Sequence, residues 1–369
     1  MSYSFQKSYI LEPHSPLIHF QHEQEGATLR ATEVKPKLDR YIWKQCKDVD
    51  EKWRISKDQK ALNYKMQISL IEESKVVDLG QHTDYDIFYG NMGDAPRKRG
   101  VIAKAKITIT CFIPELLEKI DKEIGDFFIA TNFGTIQDKG FGSFTVKDKD
   151  CTPNHICSVL KRDYNVEHCY MFRSTLTNTF KQIKTVYSLM KSGVNFRAYQ
   201  RSLLFEYMHD KYDFGNEKAW LKQQRIAPAI GRSTNQMDEK SYYVRALLGI
   251  GDHIGFLKAP QNSGDKNSGD TLTVTISNID SNKIERLASP ILFKVIQGNV
   301  YFVANRINES IYGKSFKFES PKGSGVLKVP TKEELGENFI DEFLRFCCSK
   351  INRCSRKFED IKNITIREV

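Results

Sequence analysis

The sequence predicts an α+β protein of two ferredoxin-like βαββαβ domains, the second of which carries helical insertions. Three observations predict this fold class. Alternating apolar residues mark strands, apolar residues at helical spacing mark helices, and the order strand, helix, strand, strand, helix, strand can be followed twice. The 369 residues are enough for two domains that each bury a core. We place the domains at residues 1–150 and 151–369, with a helical insertion at about 195–270.

The first half begins with an alternating strand over residues 2–20 that Pro13 and Pro16 interrupt. Pro36 restricts the start of the first helix, because proline is tolerated in the first turn. The following elements are predicted in order: a helix at 32–46, strands at 62–71 and 101–113, a helix at 115–129, and a glycine-rich segment ending in a short strand at 132–146.

The second half repeats this order of elements with additions. Residues 147–165 are predicted as a polar linker, and 260–270 as a loop rich in Gly, Ser, Asn and Asp. Thr331 and Glu334 form a capping-box pattern at the start of the closing helix. The predicted elements are a strand at 166–172, a helix at 175–191, inserted helices at 199–209 and 217–225, a strand at 271–277, hairpin strands at 290–296 and 300–305, and a helix at 331–350.

The composition argues against a disordered chain and against a membrane-spanning one. Hydrophobic residues make up 40% of the chain, which is enough for a folded core. The mean hydropathy is −0.48, and no apolar run approaches the roughly 18 residues that a membrane helix needs. The N-terminal residues lack the apolar core of a secretion signal, so we expect a cytoplasmic protein without a membrane partner.

The eight cysteines are scattered and include no CxxC pair, so most are expected to be buried thiols. One cluster combines thiols with imidazoles, which together suit tetrahedral zinc, although its spacing matches no standard zinc finger. Zinc is the minor alternative there, and we expect no metal and no cofactor. The cluster consists of Cys151, His155, Cys157, His168 and Cys169.

Basic residues are in excess and locally concentrated. The 56 Lys and Arg residues against 46 Asp and Glu give a formal net charge of +10, which favours polyanions. Residues 96–114 contain five basic side chains and no acid, so this segment is either a phosphate-attracting surface or a solvated hairpin edge. The five are Arg97, Lys98, Arg99, Lys104 and Lys106.

The glycine-rich segment 134–144 has the composition of a phosphate-binding or RNA-binding loop. Glycines let backbone amides approach a phosphate, Lys139 adds positive charge, and Phe141 offers a ring on which a base can stack. The spacing is neither that of a Walker loop nor that of a dinucleotide-binding loop. A plain glycine-rich turn is the alternative. The candidate contacts are Gln137, Lys139, Gly140, Phe141, Gly142 and Ser143.

A second candidate region is residues 15–40, where a strand ends and the first helix begins. Arg30, Lys35 and Lys37 lie near the predicted start of that helix. A helix N-terminus and basic side chains both favour phosphate.

Four short motifs are spread along the chain. They are Leu29 to Lys35 after the Ser15-Pro16-Leu17 strand end, Phe88-Tyr89-Gly90 with Gly100, Gln137 to Phe144, and Arg286 to Pro290. Together they resemble the RAMP superfamily of CRISPR-associated proteins, and most closely the large two-domain RAMP subunit of the type III-B (Cmr) effector complex. One departure is that the family loop usually carries several arginines before its GFGS motif, where this chain has only Lys139.

The resemblance implies a subunit that holds guide RNA, or a guide–target duplex, by its backbone within an assembly of other Cas subunits. Base pairing between RNAs would then supply sequence choice. By this interpretation Arg30, Lys35 and Lys37 position phosphates, the loop around Lys139 wraps the RNA, and Arg97, Lys98 and Arg99 add electrostatic attraction.

Two alternatives stay open. Some RAMP relatives are metal-independent ribonucleases that process CRISPR transcripts, and His19 and His22, close to His14, would be the candidate general bases. The other alternative is a purely structural subunit whose basic surface meets an acidic protein partner. No other catalytic motif is present.

Overall fold

The computed structural model describes residues 5–18, 28–46, 49–56, 58–79, 85, 98–174, 178–196, 198–228, 240–257, 271–279 and 287–369. The predicted loop at 260–270 and the Phe88-Tyr89-Gly90 motif lie outside these residues.

Helices and strands alternate along the chain, which confirms a mixed helix and strand fold. The helices are α1 Ala31–Gln45, α2 Pro114–Ala130, α3 Pro153–Tyr164, α4 Thr179–Lys191, α5 Leu203–Tyr212, α6 Glu217–Gln223, α7 Lys332–Leu335 and α8 Phe339–Cys354. The strands are β1 Gln6–Pro13, β2 Lys65–Leu70, β3 Lys75–Leu79, β4 Lys98–Ile102, β5 Ala105–Thr110, β6 Phe144–Val146, β7 Cys169–Arg173, β8 Val194–Phe196, β9 Ala198–Gln200, β10 Phe214–Asn216, β11 Lys240–Tyr242, β12 His253–Leu257, β13 Thr271–Asn278, β14 Ile291–Ile296, β15 Asn299–Ala304, β16 Ser315–Ser320, β17 Gly323–Lys328 and β18 Arg367–Glu368.

The first sheet has the strand order β2-β5-β1-β6, with every neighbouring pair antiparallel. Its core face carries the inward-pointing residues of each strand; for example, Ile107 of β5 lies opposite both Ile68 and Tyr9. Helices α1 and α2 contribute their apolar faces to the same core, including Leu38 and Phe127. This arrangement follows from period-2 burial in the strands and helical-period burial in α1 and α2.

A second antiparallel sheet has the order β14-β15-β7-β18. Strands β14 and β15 are joined by Gln297 and Gly298, whose φ values are 50° and 75°. Two residues with positive φ are typical of a tight hairpin turn, so the predicted hairpin is confirmed.

The chain divides into two compact units. The first contains residues 1–184, 292–303 and 363–369, and the second contains 185–291 and 304–362. The second unit includes the antiparallel sheet β12-β13-β16-β17. The predicted domain boundary after residue 150 stays a prediction. Each unit is built from several separate segments of the chain, so the units do not define a single boundary position.

The linker predicted at 147–165 is wrong, since most of it forms α3. Thr152 caps the helix by accepting a hydrogen bond from the His155 amide (3.4 Å), Pro153 occupies the first turn, and Asn165 ends the helix at φ 53°. The helix buries Ile156, Cys157, Val159 and Leu160. These are strong start and stop signals.

Three boundaries also differ from prediction. Pro36 lies inside α1 beyond its first turn, because the helix begins at Ala31. The strand predicted at 101–113 is two strands, β4 paired with β3 and β5 paired with β1 and β2. The closing helix is divided at Gly336 (φ 82°), which ends α7, although the Thr331–Glu334 capping box is present. None of the described helices is long and apolar enough to cross a membrane.

Candidate nucleic-acid interface

The glycine-rich segment between α2 and β6 is a tightly bonded loop. The Gly142 amide donates to Pro16 O (2.9 Å), and the Phe133 amide donates to Gly142 O (3.0 Å). Gly142 has φ 66°, and a Cβ there would lie 1.9 Å from Phe133 O. Only glycine fits this position, because both the left-handed backbone and the close approach of another chain segment exclude a side chain.

The loop is also bonded along β14. Asn132 Nδ2 donates to Phe293 O (2.9 Å), and Ser143 Oγ donates to Val295 O (2.6 Å). The Phe293 amide in turn donates to Asp138 O (2.9 Å). The side of the loop that faces β14 is therefore bonded to protein backbone and is closed to a phosphate.

Phe141 is not available for base stacking, which corrects the predicted role of its ring. The side chain is 0% exposed, and its ring lies 4.1 Å from the ring of Phe180. Ser143 is equally buried. The glycines on either side of Phe141 suggest a loop open to ligand, but they serve a turn that directs the ring into the core.

Lys139 is not an exposed cation either. Its side chain is 10% exposed and forms a 2.6 Å ion pair with Asp138. The residue also makes a parallel bridge with Phe293. Its charge is therefore largely neutralised within the loop.

Lys35 lies on the side of α1 that faces β2 and the residues before it. Its Nζ pairs with Asp39 (2.8 Å), donates to Leu62 O (2.9 Å) and lies 4.2 Å from the centre of the Tyr64 ring. These contacts hold the lysine in the fold and pair its charge, so its role in positioning phosphates stays a prediction.

Lys37 joins α1 to the glycine-rich loop. Its Nζ pairs with Glu33 (3.0 Å) and donates to Gln137 Oε1 (3.1 Å) and Asn132 O (3.1 Å). Glu33 Oε1 also accepts a hydrogen bond from the Gly134 amide (2.8 Å). The Gly134 amide is one of the loop amides predicted to bind phosphate, and it donates to the Glu33 carboxylate instead.

Of the remaining predicted contacts, Arg30 and Arg99 are exposed. Arg30 immediately precedes α1, and Arg99 lies in β4 opposite Asp78 of β3. The backbone of Lys98 belongs to β4, while Arg97, His19 and His22 lie outside the described residues.

The candidate zinc ligands do not converge in the described part of the chain. Cys157 and Cys169 form a buried thiol pair in which the Cys169 thiol donates to Cys157 Sγ. His155 pairs with Asp126 (2.9 Å), and His168 pairs with Glu368. The zinc alternative therefore finds no common site among the described residues of this cluster.

Lys294 is a fully buried lysine that the sequence analysis did not single out. Its Nζ donates to Phe128 O (2.7 Å) and Thr131 O (2.8 Å), carbonyls at the end of α2. Burial lowers the pKa of its amino group well below the usual value. The lysine satisfies carbonyls that a helix C-terminus leaves without partners.

His14 lies close to this lysine, at the end of β1. Its Nε2 is hydrogen-bonded to Thr145 Oγ1 at 2.7 Å, and the Gln297 amide donates to its Nδ1 (3.5 Å). Burial and, secondarily, the charge of Lys294 lower the pKa of His14 to about 4. The imidazole is therefore neutral at physiological pH.

We expect His14 to make the protein less stable in mild acid. Between pH 6.5 and about 4 the unfolded chain binds a proton that the folded chain does not, so the free energy of unfolding falls as pH falls. For a partly exposed group we expect a loss of about 2 kcal/mol over this window. Urea unfolding of wild type and His14→Gln at several pH values measures it, and parallel pH curves for the two proteins would contradict it.

The outer face of the first sheet is a further surface, of which the sequence analysis singled out only Lys106. Residues directly opposite one another in neighbouring strands share a face. We call this surface, on the side away from the core, the open face. Its three rows are Ser69, Lys106, Ile10 and Lys147; Gln67, Thr108 and Ser8; and Lys65, Thr110 and Gln6.

Comparison with known families identifies the chain's relatives. Residues 5–194 match the model of the Cmr1 N-terminal domain, and residues 199–368 match that of the Cmr1 C-terminal domain. The chain belongs to the Cmr1 family. The resemblance to a RAMP subunit of the type III-B effector complex is thereby confirmed.

Two further comparisons concern individual proteins. The crystal structure of apo Cmr1 from Pyrococcus furiosus is 10% identical to this Cmr1-family chain, with a TM-score of 0.42 and coverage of 99% of this chain and 98% of that chain. No curated protein matches the chain.

Proposed function

We propose that this Cmr1-family chain is a non-catalytic RNA-binding subunit of a type III-B effector complex that holds guide RNA or a guide–target duplex by its backbone. Membership of the Cmr1 family is the observation that carries the proposal. In guided systems base pairing selects the sequence, so a protein subunit needs mainly phosphate contacts.

The charge of the chain supports this function. The net charge is +10, and the exposed cations of the first unit include Lys65, Lys106 and Lys147 on the open face and Arg99 on the β3–β4 ribbon. Exposed lysine and arginine bind phosphate by releasing condensed counterions.

The order of strands supports the finer proposal of ferredoxin-like architecture. In the first sheet the strands β1, β2, β5 and β6 lie in the order fourth, first, third, second, with α1 after the first strand and α2 after the third. In the second sheet β7, β14, β15 and β18 have the same order. We propose that both sheets derive from βαββαβ units, the second interrupted by the long segment between α4 and β14.

The function is tested by purifying the full chain without nuclease and sequencing RNA cross-linked to it by ultraviolet light. We expect RNA that carries CRISPR repeat sequence, and an affinity for single-stranded RNA that falls steeply with salt. A protein that carries no RNA and ignores added RNA at low salt would overturn the proposal in favour of a protein-interaction subunit. Metal-independent cleavage lost in His19→Ala or His22→Ala would overturn its non-catalytic part.

A further inference from the structure

We propose that the open face of the first sheet, and not the glycine-rich loop, is the main surface on which this chain holds single-stranded RNA. This inference rests on the proposed function and names its binding surface. It assigns the phosphate contacts to Lys65, Lys106 and Lys147 and a base-stacking contact to Phe112, none of which the loop hypothesis contains.

The charge of the open face fits a phosphate backbone. Lys65, Lys106 and Lys147 are exposed, and no ion pair joins any of them to another described residue. Glu12 is a carboxylate at the far end of this face, opposite Thr145 in β6. The lysines of α1 and of the glycine-rich loop differ, since Lys35, Lys37 and Lys139 each pair with a neighbouring carboxylate.

The lysines are spread over a length that suits several nucleotides. Lys106 and Lys147 flank Ile10 in one row, so two strand spacings, roughly 10 Å, separate their backbones. Lys65 lies opposite Thr110, four residues along β5 from Lys106, which is roughly 14 Å. A single strand crossing the face would meet the three charges in succession.

Polar side chains fill the space between the lysines. Ser8 Oγ and Thr108 Oγ1 lie 3.2 Å apart in the middle row, and Gln67 and Ser69 are exposed on β2. Hydroxyl and amide groups bind phosphate oxygens and the ribose 2′-hydroxyl. No aromatic ring lies within the three rows, so bases above them remain unstacked by protein and available for pairing.

An exposed aromatic pair marks one end of the open face. Phe112 is 74% exposed and Phe5 is 48% exposed, and their rings lie 5.3 Å apart. Phe112 lies two residues beyond the end of β5, next to the row that contains Lys65, Thr110 and Gln6. A ring pair this exposed is a natural platform for one terminal base, because stacking of RNA bases on aromatic side chains tolerates any sequence.

The test compares two triple variants of the full chain that lose the same charge. Lys65→Ala, Lys106→Ala and Lys147→Ala remove the open-face cations. Lys52→Ala, Lys60→Ala and Lys122→Ala remove three exposed lysines elsewhere in the first unit that form no ion pair with any residue that the structure describes. Affinity for an unstructured 20-nucleotide RNA is measured by fluorescence anisotropy at several salt concentrations.

We expect the open-face variant to bind at least tenfold more weakly than wild type and the control variant to remain within twofold. Loss of three phosphate contacts from a single strand should also reduce the salt slope by about 2. Phe112→Ala alone should weaken binding between about 5- and 100-fold with an unchanged salt slope.

The outcomes separate this inference from the proposed function. Equal weakening in both triple variants would mean general attraction to a basic protein, and unchanged binding in the open-face variant would place the RNA elsewhere; either result overturns the inference and leaves RNA binding standing. A wild type that binds no RNA overturns the proposed function itself. An open-face variant that keeps RNA but loses a copurifying Cas subunit would make the surface a protein interface and overturn the inference.

Discussion

Gly142→Ala should destabilise the first unit by about 4 kcal/mol or more. The new Cβ would lie 1.9 Å from Phe133 O and 2.7 Å from Phe133 C, and the backbone would still need φ 66°. The obstacle is a backbone segment that is itself hydrogen-bonded to Gly142 O, so neither side can yield without breaking the loop. Overlap and strain together place this substitution among the most damaging single changes.

Gly336→Ala is the matched control for this effect. Gly336 also has positive φ, 82°, yet no atom lies within 4 Å of a Cβ built there. The control carries conformational strain without the overlap, because φ 82° and ψ 165° form a backbone conformation that is essentially restricted to glycine, and it should cost about 1 to 3 kcal/mol. Equilibrium urea unfolding measures both variants. If the two variants lose similar unfolding free energy, Phe133 has moved to relieve the overlap with the new Cβ, and the prediction for Gly142→Ala is wrong.

Phe141→Ala should cost about 3 to 5 kcal/mol, because it opens a cavity in the core where the ring now contacts Phe180. Under conditions where the variant is folded, its affinity for RNA should equal that of wild type. The side chain has no exposed surface on which a base could stack.

Phe112→Ala is the reciprocal control, since the same substitution is made at a ring that is 74% exposed. Its unfolding free energy should change by no more than about 0.5 kcal/mol, while its affinity for RNA falls. Urea unfolding should show a loss of stability only for Phe141→Ala, and fluorescence anisotropy should show a loss of RNA affinity only for Phe112→Ala. A folded Phe141→Ala protein with weakened RNA binding would restore the glycine-rich loop as an RNA contact.

The strands and the first two helices were predictable because their signals are local. Val34, Leu38 and Ile42 repeat every four residues in α1, and Ile107 and Ile109 alternate with polar residues in β5, so each segment by itself indicates its buried side. The polar and charged composition of residues 147–165 predicts a linker, whereas most of this segment forms α3. Those charges have distant partners: Arg162 bonds Asp126 (2.9 Å), and Tyr41 donates to Asp163 (2.8 Å).

For the candidate site, the sequence alone located the glycine turn, the basic character of the chain and its family resemblance, because residue type and spacing carry them. Only the tertiary structure decides whether a basic side chain is exposed and unpaired, and so able to bind phosphate. Lys37 and Gln137 are 100 residues apart in the chain yet in hydrogen-bond contact, and Phe141 became buried when the loop packed near α4. Likewise, the open face exists only because the register of β2, β5, β1 and β6 places three separated lysines on one side. The charge of a side chain follows from its residue type. Its exposure and its ion pairs depend on residues that are distant in the sequence and become neighbours only in the folded chain.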